Sequence, residues 1–340
     1  MKARPCVSVL ICFSLASTAL FYFSVPSRPK RKSFPVLTPP PPASKAEYTP
    51  HPLCARGPAS TVNSQRVYAD GTEPGYNVDF WGVVRIAPVP TFHINTHDPV
   101  KQDVFISGSV HAGKDPWDPY VWDLFVRVLG EADGLVVDVG ANIGYFTLMA
   151  AAMGHRVVAF EPMNRNAAKL QSSITRNGFQ RQVVLYHNAA SFESSGKVSL
   201  TETHHTNQGN GQMRSARADV SGVYGVDYSE TVTLDDAIHE DVLLLKIDVE
   251  GFESAVLDGA QRLVCGYTVR FITIEFSDAT AKNQLCPAQR MLSFFESAGY
   301  TISDIVPHAP TLSASELHRF PPNILFTLQD TARKRNRCSH

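Results

Sequence analysis

The sequence lacks several features that would assign it to a common class of protein. Its six cysteines contain no C-x-x-C pair and no spacing typical of a zinc site. Positive charge is not in excess, because 31 Lys and Arg stand against 32 Asp and Glu, whereas a nucleic-acid-binding domain usually has a strongly basic face. The composition therefore predicts no nucleic-acid partner. With 44% hydrophobic residues, the 340-residue chain can bury a substantial core.

The N-terminal region has no acidic residues before Glu47. Seven basic residues precede that position: Lys2, Arg4, Arg28, Lys30, Arg31, Lys32 and Lys45. Residues 5–27 carry no charge of either sign, and the 19 residues from Val7 to Val25 are mostly apolar. A helix of that length rises about 28 Å, close to the hydrocarbon thickness of a bilayer. Residues 1–25 are therefore predicted to be a short cytosolic tail and a transmembrane signal anchor, with residues 7–25 in the membrane.

The sequence after the apolar segment favours an uncleaved anchor. Pro26 and a basic cluster stand where a cleaved signal would have a small-residue cleavage site, and the alternative is a cleaved signal or an organelle transit peptide. Residues 26–58 contain ten prolines, which predict an extended stalk. Because the N-terminal tail is too short to be a domain, we expect a single-pass type II protein whose bulk lies in a lumen. There Cys265 and Cys286 could form a disulfide, but free buried thiols are the simpler interpretation.

The rest of the chain alternates between strand and helix signals. Strands are predicted at 135–139, 156–161, 183–188, 197–201, 242–248, 271–276, 300–305 and 323–328, and helices at 143–153, 164–177, 253–259 and 288–298. This alternation predicts a doubly wound α/β sheet, mostly parallel, with the last two strands as an antiparallel pair at one edge. We expect this domain to span 118–330, preceded by strands and loops at 59–117 that pack on it and followed by a basic tail at 331–340.

A glycine-rich turn follows the first strand of this domain. It reads Asp138-Val-Gly140-Ala-Asn142-Ile-Gly144, with two glycines where a nicotinamide-binding turn would have three. An acidic residue before the first glycine would repel a pyrophosphate but would suit a ligand with an ammonium and a sulfonium group. Ligands of such sheets bind at the carboxyl ends of the strands, near the point where the strand order reverses. The turn therefore predicts a cofactor site formed by Asp138, Gly140, Asn142 and Gly144.

Glu161 ends the second strand, 23 residues after Asp138. An acid at about this spacing hydrogen-bonds ribose hydroxyls in nucleotide-binding folds. The alternative is that Glu161 only favours the N-terminus of the helix that begins near Asn164. Strand, spacing and residue type together favour ribose binding.

These segments resemble the FkbM family of methyltransferases. The likeness rests on residues 137–148 around the glycine-rich turn, on Phe160-Glu-Pro162, and on Leu245-Lys-Ile-Asp-Val-Glu-Gly-Phe-Glu253. It runs from about residue 98 to residue 328 and implies a class I, Rossmann-like methyltransferase fold, S-adenosylmethionine as cofactor, and O-methylation, including that of sugars. Asn142 stands where many class I enzymes have a glycine, which looks typical of FkbM members. The resemblance also implies that Asn188 and Ala189 border the adenine.

Acidic residues at two strand ends are the candidate catalytic groups. Transfer to a hydroxyl requires that its proton be removed, and Asp248, Glu250 or Glu275 could act as the base or orient the acceptor. Lys246, Asp248 and Glu250 would share one face if their strand extends that far, and buried ionisable residues are costly unless they are used or paired. The structural alternative is that Lys246 pairs with one carboxylate and Glu253 favours the next helix. Asp248 and Glu275 could also hold a divalent cation, which is possible but not expected, since two carboxylates do not define a metal site.

Together these features predict an S-adenosylmethionine-dependent O-methyltransferase that acts on a carbohydrate hydroxyl of a glycan. An anchor, a stalk and a catalytic domain follow one another in many Golgi-resident glycan-modifying enzymes, so we expect a luminal domain in the Golgi. The alternatives are a methyltransferase of a lipid or a small metabolite, and an anchored binding protein without turnover. Trp117, just before the main domain, could stack on a sugar ring or belong to the core.

Overall fold

The computed structural model describes residues 79–113, 115–202, 207, 211–215, 225–276, 285–314 and 321–329, all within the unit Lys45–His340. The predicted anchor, stalk and basic tail lie outside these residues. Within the described ranges, no helix combines the length and the hydropathy needed to cross a membrane.

The strands and helices account for most of the described chain. The strands are β1 (Phe80–Val84), β2 (Phe92–Thr96), β3 (Leu135–Val139), β4 (Arg156–Phe160), β5 (Val183–Tyr186), β6 (Ala189–Ala190), β7 (Lys197–Glu202), β8 (Gly211–Ser215), β9 (Gly225–Val232), β10 (Val242–Ile247), β11 (Val269–Glu275), β12 (Tyr300–Asp304), β13 (Thr311–Leu312) and β14 (Asn323–Leu328). The helices are α1 (Ile106–Ala112), α2 (Pro119–Glu131), α3 (Tyr145–Ala152), α4 (Asn164–Asn177), α5 (Leu234–Ala237), α6 (Glu253–Asp258), α7 (Gln261–Gly266) and α8 (Leu285–Ser297).

An eight-stranded sheet forms the centre of the domain, in the order β13-β12-β14-β11-β10-β3-β4-β5. The five strands from β11 to β5 are parallel, and β14 pairs antiparallel with both β11 and β12. The mostly parallel sheet is confirmed, and the predicted antiparallel pair is β12 with β14. The short strand β13 lies outside this pair at the edge.

The central strands are buried on both faces. Every residue of β3 and β10 is buried, as expected for parallel strands covered by helices on each side. One core cluster joins Val137 to side chains of α6, α7 and α8, such as Phe295. The other joins Val136 to side chains of α2, α3 and α4, such as Phe125 and Leu170. Helices therefore cover both faces, which makes the sheet doubly wound.

The strand order reverses between β3 and β10. From β3 the chain passes outward through β4 and β5, and it later returns to pair β10 with the other side of β3. The loops that follow β3 and β10 consequently separate from each other at the carboxyl ends of the strands. This position is where a ligand crevice forms in an open α/β sheet.

Two smaller sheets flank the centre. The antiparallel pair β1–β2 packs into the core through Val84, Phe92 and Ile94, together with Val110 of α1. The sequence predicted only strands and loops in this region, so α1 was missed. A four-stranded sheet has the order β6-β9-β7-β8, and β8 lies in the polar stretch after Thr201 that no sequence pattern identified as strand.

Candidate active site

A cavity of about 360 Å³ lies at the carboxyl ends of β3, β4, β10 and β11, where the strand order reverses. The predicted site residues that line it are Gly140, Asn142, Glu161, Ala189, Asp248, Glu250 and Glu275. The residues predicted to bind the cofactor and those predicted to be catalytic therefore line the same cavity. Asp138, Gly144 and Asn188 do not line this cavity.

The β3–α3 turn needs the backbone freedom of glycine at two positions. Gly140 has φ +78°, and a Cβ there would overlap the backbone carbonyl oxygen of Asp248. Gly144 has φ +91°, and a Cβ there would overlap the side chain of Leu170. Asn142 also has a positive φ, +53°, which asparagine tolerates better than most residues. Gly140 thus permits close contact with the turn after β10, and Gly144 leaves room for the side chain of Leu170.

Glu161 connects this turn to the end of β4. Its Oε2 accepts a hydrogen bond from the Asn142 backbone N–H at 2.8 Å, and its Oε1 accepts one from the Met163 N–H at 2.9 Å. Met163 is the N-cap residue of α4, so Glu161 does contact the N-terminus of this helix, as the alternative to ribose binding held. Glu161 is 4% exposed, and burial raises its pKa to about 7. The Asn166 side chain donates a third hydrogen bond to this carboxylate, so one of its four lone pairs is left for a ligand hydroxyl.

Asp138 is held inside the protein and does not line the cavity. It is 1% exposed, and the Thr147 hydroxyl donates to its Oδ2 at 2.6 Å. Its Oδ1 lies 3.6 Å from the Lys246 Nζ, across the β3–β10 register. Asn188 likewise supports its surroundings, since its Nδ2 donates to the Glu230 carbonyl at 3.1 Å. Both residues therefore stabilise the walls of the site.

Lys246 contacts both Asp138 at the end of β3 and Asp248 after β10. Its Nζ lies 3.2 Å from Asp248 Oδ2, so the pairing considered as a structural alternative does form. Burial alone would lower the pKa of Lys246, but the carboxylates of Asp248 and Asp138 raise it overall. Asp248 remains available to a ligand, because 41% of its side chain is exposed.

The three predicted catalytic carboxylates do meet. One oxygen each from Asp248, Glu250 and Glu275 lies within 4.8 Å of the others. Burial, together with the charge of Asp248, raises the pKa of Glu275 to about 9 and that of Glu250 to about 7. Both values reflect the cost of placing several negative charges in a partly buried cluster.

The geometry of this cluster differs from the sequence-based expectation. β10 ends at Ile247, so Asp248 and Glu250 lie in a turn and not on one face of a strand. Glu250 has φ +55°, and the turn is fixed by Glu253, whose Oε1 accepts from the Gly251 N–H at 3.0 Å. Glu253 thus has the structural role that the sequence suggested for it, because it organises the start of α6.

Asp118 and Phe105 line the cavity and were not predicted from the sequence, whereas Trp117 was considered there as a sugar-stacking residue. Asp118 caps α2, where its Oδ1 accepts from the Val121 N–H at 3.1 Å, and burial raises its pKa. The Asp118-Pro119 pair is a helix-start signal that could have located it. Phe105 and Trp117 line the same cavity as an edge-to-face pair, with ring centroids 6.2 Å apart. Phe105 is 44% exposed, so part of the cavity rim is aromatic.

One sequence-based interpretation of the cysteines is wrong. Cys265 at the end of α7 was expected to be a free buried thiol, but it is disulfide-bonded. It is the one cysteine among the described side chains. Disulfides persist mainly in oxidising compartments.

The sheet order and the cavity at its point of reversal are those of a doubly wound α/β fold and are consistent with a class I methyltransferase fold. Residues 138–302 match the family model described as the methyltransferase FkbM domain. No match was found among the curated proteins.

Solved structures similar to this chain include several methyltransferases. The methyltransferase FkbM from Methylobacillus flagellatus KT aligns at 20% identity over 57% of this chain and 43% of its own, with a TM-score of 0.37. A putative rRNA-methylase from Clostridium thermocellum aligns at 13% identity over 63% and 94% of the two chains, with a TM-score of 0.37. A putative caffeoyl-CoA O-methyltransferase from Staphylococcus aureus aligns at 10% identity over 67% and 91%, with a TM-score of 0.40. The chain thus spans less than half of the first of these proteins.

Proposed function

We propose that this protein is an S-adenosylmethionine-dependent methyltransferase that methylates a hydroxyl group of a carbohydrate. The observation that carries the proposal is that one cavity is lined by the β3–α3 turn and Glu161 on one side and by three carboxylates on the other. A methyl donor and an acceptor must meet in such a space, from which water is largely excluded. The FkbM domain at 138–302 supports the same class of reaction.

The donor half of the cavity suits a cationic nucleoside. Glu161 has one oxygen lone pair left for a ribose hydroxyl, and Phe160 and Ala189 supply apolar surface beside it. Over the cavity as a whole, acidic side chains exceed basic ones in the lining, which favours a cationic ligand. S-adenosylmethionine supplies a methyl group that its sulfonium already activates, so the protein has to bind, align and exclude water.

The acceptor half suits a sugar hydroxyl. Phe105 and Trp117 offer an apolar aromatic surface at the rim, against which the carbon face of a sugar ring can pack. The carboxylates opposite can accept hydrogen bonds from hydroxyls. Asp248 is our candidate for the base, because it is paired with Lys246 and still partly exposed to the cavity. It would take the hydroxyl proton as the oxygen forms its bond to the methyl carbon.

The proposed location is a lumen, with residues 7–25 as a membrane anchor and the Golgi as the compartment. The apolar length of this segment and the disulfide at Cys265 support an exported domain. The test is protease protection of a C-terminally tagged chain in sealed microsomes. Full digestion of the tagged domain without detergent would contradict the luminal orientation.

Calorimetry with the full chain in detergent tests the proposed activity first. S-adenosylmethionine should bind the wild type, and Glu161→Gln should weaken this binding at least tenfold. The control variant Asp133→Asn removes a carboxylate from the protein surface and should leave cofactor binding unchanged. Transfer of labelled methyl to panels of glycans, lipids and small metabolites then identifies the acceptor class. Absence of cofactor binding would refute the methyltransferase proposal, and labelling of lipids or metabolites alone would refute the carbohydrate assignment.

A further inference from the structure

The acidic cluster of Asp248, Glu250 and Glu275 brings three carboxyl groups together in a partly buried part of the cavity. Lys246 is its nearest cation among the described residues, and Lys246 also serves Asp138. Three ionised carboxylates in a partly buried site repel one another unless a positive charge joins them. A divalent cation would bring these three carboxylates and Lys246 to neutrality.

The spacing of the cluster fits a single ion. Its three carboxylate oxygens lie within 4.8 Å of one another. Oxygen ligands stand about 2.0–2.6 Å from Mg²⁺ or Ca²⁺, so two ligands of one ion are at most about 4–5 Å apart. The cluster is therefore already close to the size of a coordination sphere.

A second polar group, outside the acidic cluster, faces the same space without a partner. Thr273 is 2% exposed and lines the cavity, and its buried Oγ1 has no hydrogen-bond partner. Thr273 stands two residues before Glu275 on β11, so both side chains project from the same face of the strand. The Oε2 of Glu275 is also buried without a partner. Buried polar atoms are rarely left unpaired, which indicates that a ligand or its water completes this site.

We propose that Asp248, Glu250 and Glu275 bind one hard divalent cation, of the Mg²⁺ or Mn²⁺ type, beside the proposed acceptor position. Ligands that are all oxygen favour such cations over zinc or copper. The Thr273 hydroxyl contacts water held by the ion. The ion's role rests on the proposed function: it would hold the acceptor hydroxyl and increase its acidity, so that the proton passes to a remaining lone pair of the Asp248 carboxylate as the oxygen bonds to the methyl carbon and the carbon–sulfur bond of the donor breaks. The binding itself does not depend on that function.

Titration of the full chain with MnCl₂ in detergent, followed by electron paramagnetic resonance, tests the site. We expect one bound Mn²⁺ per chain, with affinity reduced at least about tenfold in Glu275→Gln and Glu250→Gln. Thr273→Val should weaken binding about fivefold, the effect of one lost hydrogen bond. Asp133→Asn removes one carboxylate from the exposed surface and should leave Mn²⁺ binding unchanged.

Circular dichroism and cofactor calorimetry on the same variants separate loss of the ion from loss of the fold. Failure of the wild type to bind Mn²⁺ at about 1 mM would overturn the proposal, as would equal binding by the cluster variants and Asp133→Asn. If the wild type binds S-adenosylmethionine but not Mn²⁺, the cation site is refuted and the proposed function stands. If Mn²⁺ binds through the cluster while the cofactor does not, the cation site stands and the proposed function is refuted.

Discussion

Replacing Glu161 with glutamine should change how the stability of the protein depends on pH. In the folded protein burial raises the pKa of Glu161 from 4.5 to about 7. Between these values the folded state holds a proton that the unfolded state has already released. The free energy of unfolding therefore falls as the pH rises from about 4.5 to about 7.

The size of the effect follows from the same pKa values. The difference between 4.5 and about 7 corresponds to about 3 kcal/mol. Glutamine cannot ionise, but it has one acceptor oxygen where Glu161 uses two, for the N–H groups of Asn142 and Met163. One of these N–H groups would face an amide NH₂, at a cost of about 1–3 kcal/mol at every pH. Relative to the wild type, Glu161→Gln should therefore gain about 2–3 kcal/mol of stability between pH 5 and pH 8, so that it is destabilised at pH 5 and equally stable or more stable at pH 8.

Urea denaturation of the full chain at pH 5, 6, 7 and 8 measures this difference. Other titrating groups are common to the two proteins and cancel in the comparison, and Asp133→Asn controls for loss of an exposed carboxylate. A gap between wild type and variant that stays constant within about 0.5 kcal/mol from pH 5 to pH 8 would refute the reasoning.

Three other substitutions test the construction of the site. Gly140→Ala should destabilise the domain by about 2 kcal/mol or more, because of its φ of +78° and the overlap with the Asp248 carbonyl; an unchanged melting temperature would contradict this. Lys246→Met leaves the buried Asp138 and the neighbouring Asp248 without their cation and should cost about 3–5 kcal/mol in urea denaturation, whereas a loss below about 1 kcal/mol would show that the pair is not important. Asp248→Asn should slow methyl transfer about 100-fold with little change in cofactor affinity; an equal loss in both measurements would exclude its role as the base.

The parts of the fold that the sequence predicted are those with strong local signals. β3 and β10 are continuous apolar runs because both faces of the sheet are covered, and α4 has the bounds 164–177 that its pattern indicated. α1 was missed because its sequence, ISGSVHA, buries only Ser107 and Val110 and so has no apolar stripe.

The candidate site was predictable in outline but not in its contacts. Carboxyl ends of neighbouring parallel strands meet, so Asp248 and Glu275 could be placed together from the strand order alone. The burial of Asp138 could not be inferred, because it depends on Thr147 from the next helix and on Lys246 across the strand register. Pairings of that kind are set by the tertiary structure and leave no local pattern.

The contact between the β3–α3 turn and the turn after β10 limits which residues can be substituted without a change in the cavity. Gly140 touches the Asp248 carbonyl oxygen, and the Asp248 N–H donates to the Val139 carbonyl at 3.0 Å, so the two loops are fixed to each other. An altered side chain in either loop would disturb both halves of the cavity. A laboratory programme that seeks new acceptors should therefore diversify the aromatic rim at Phe105 and Trp117 and keep both turns constant.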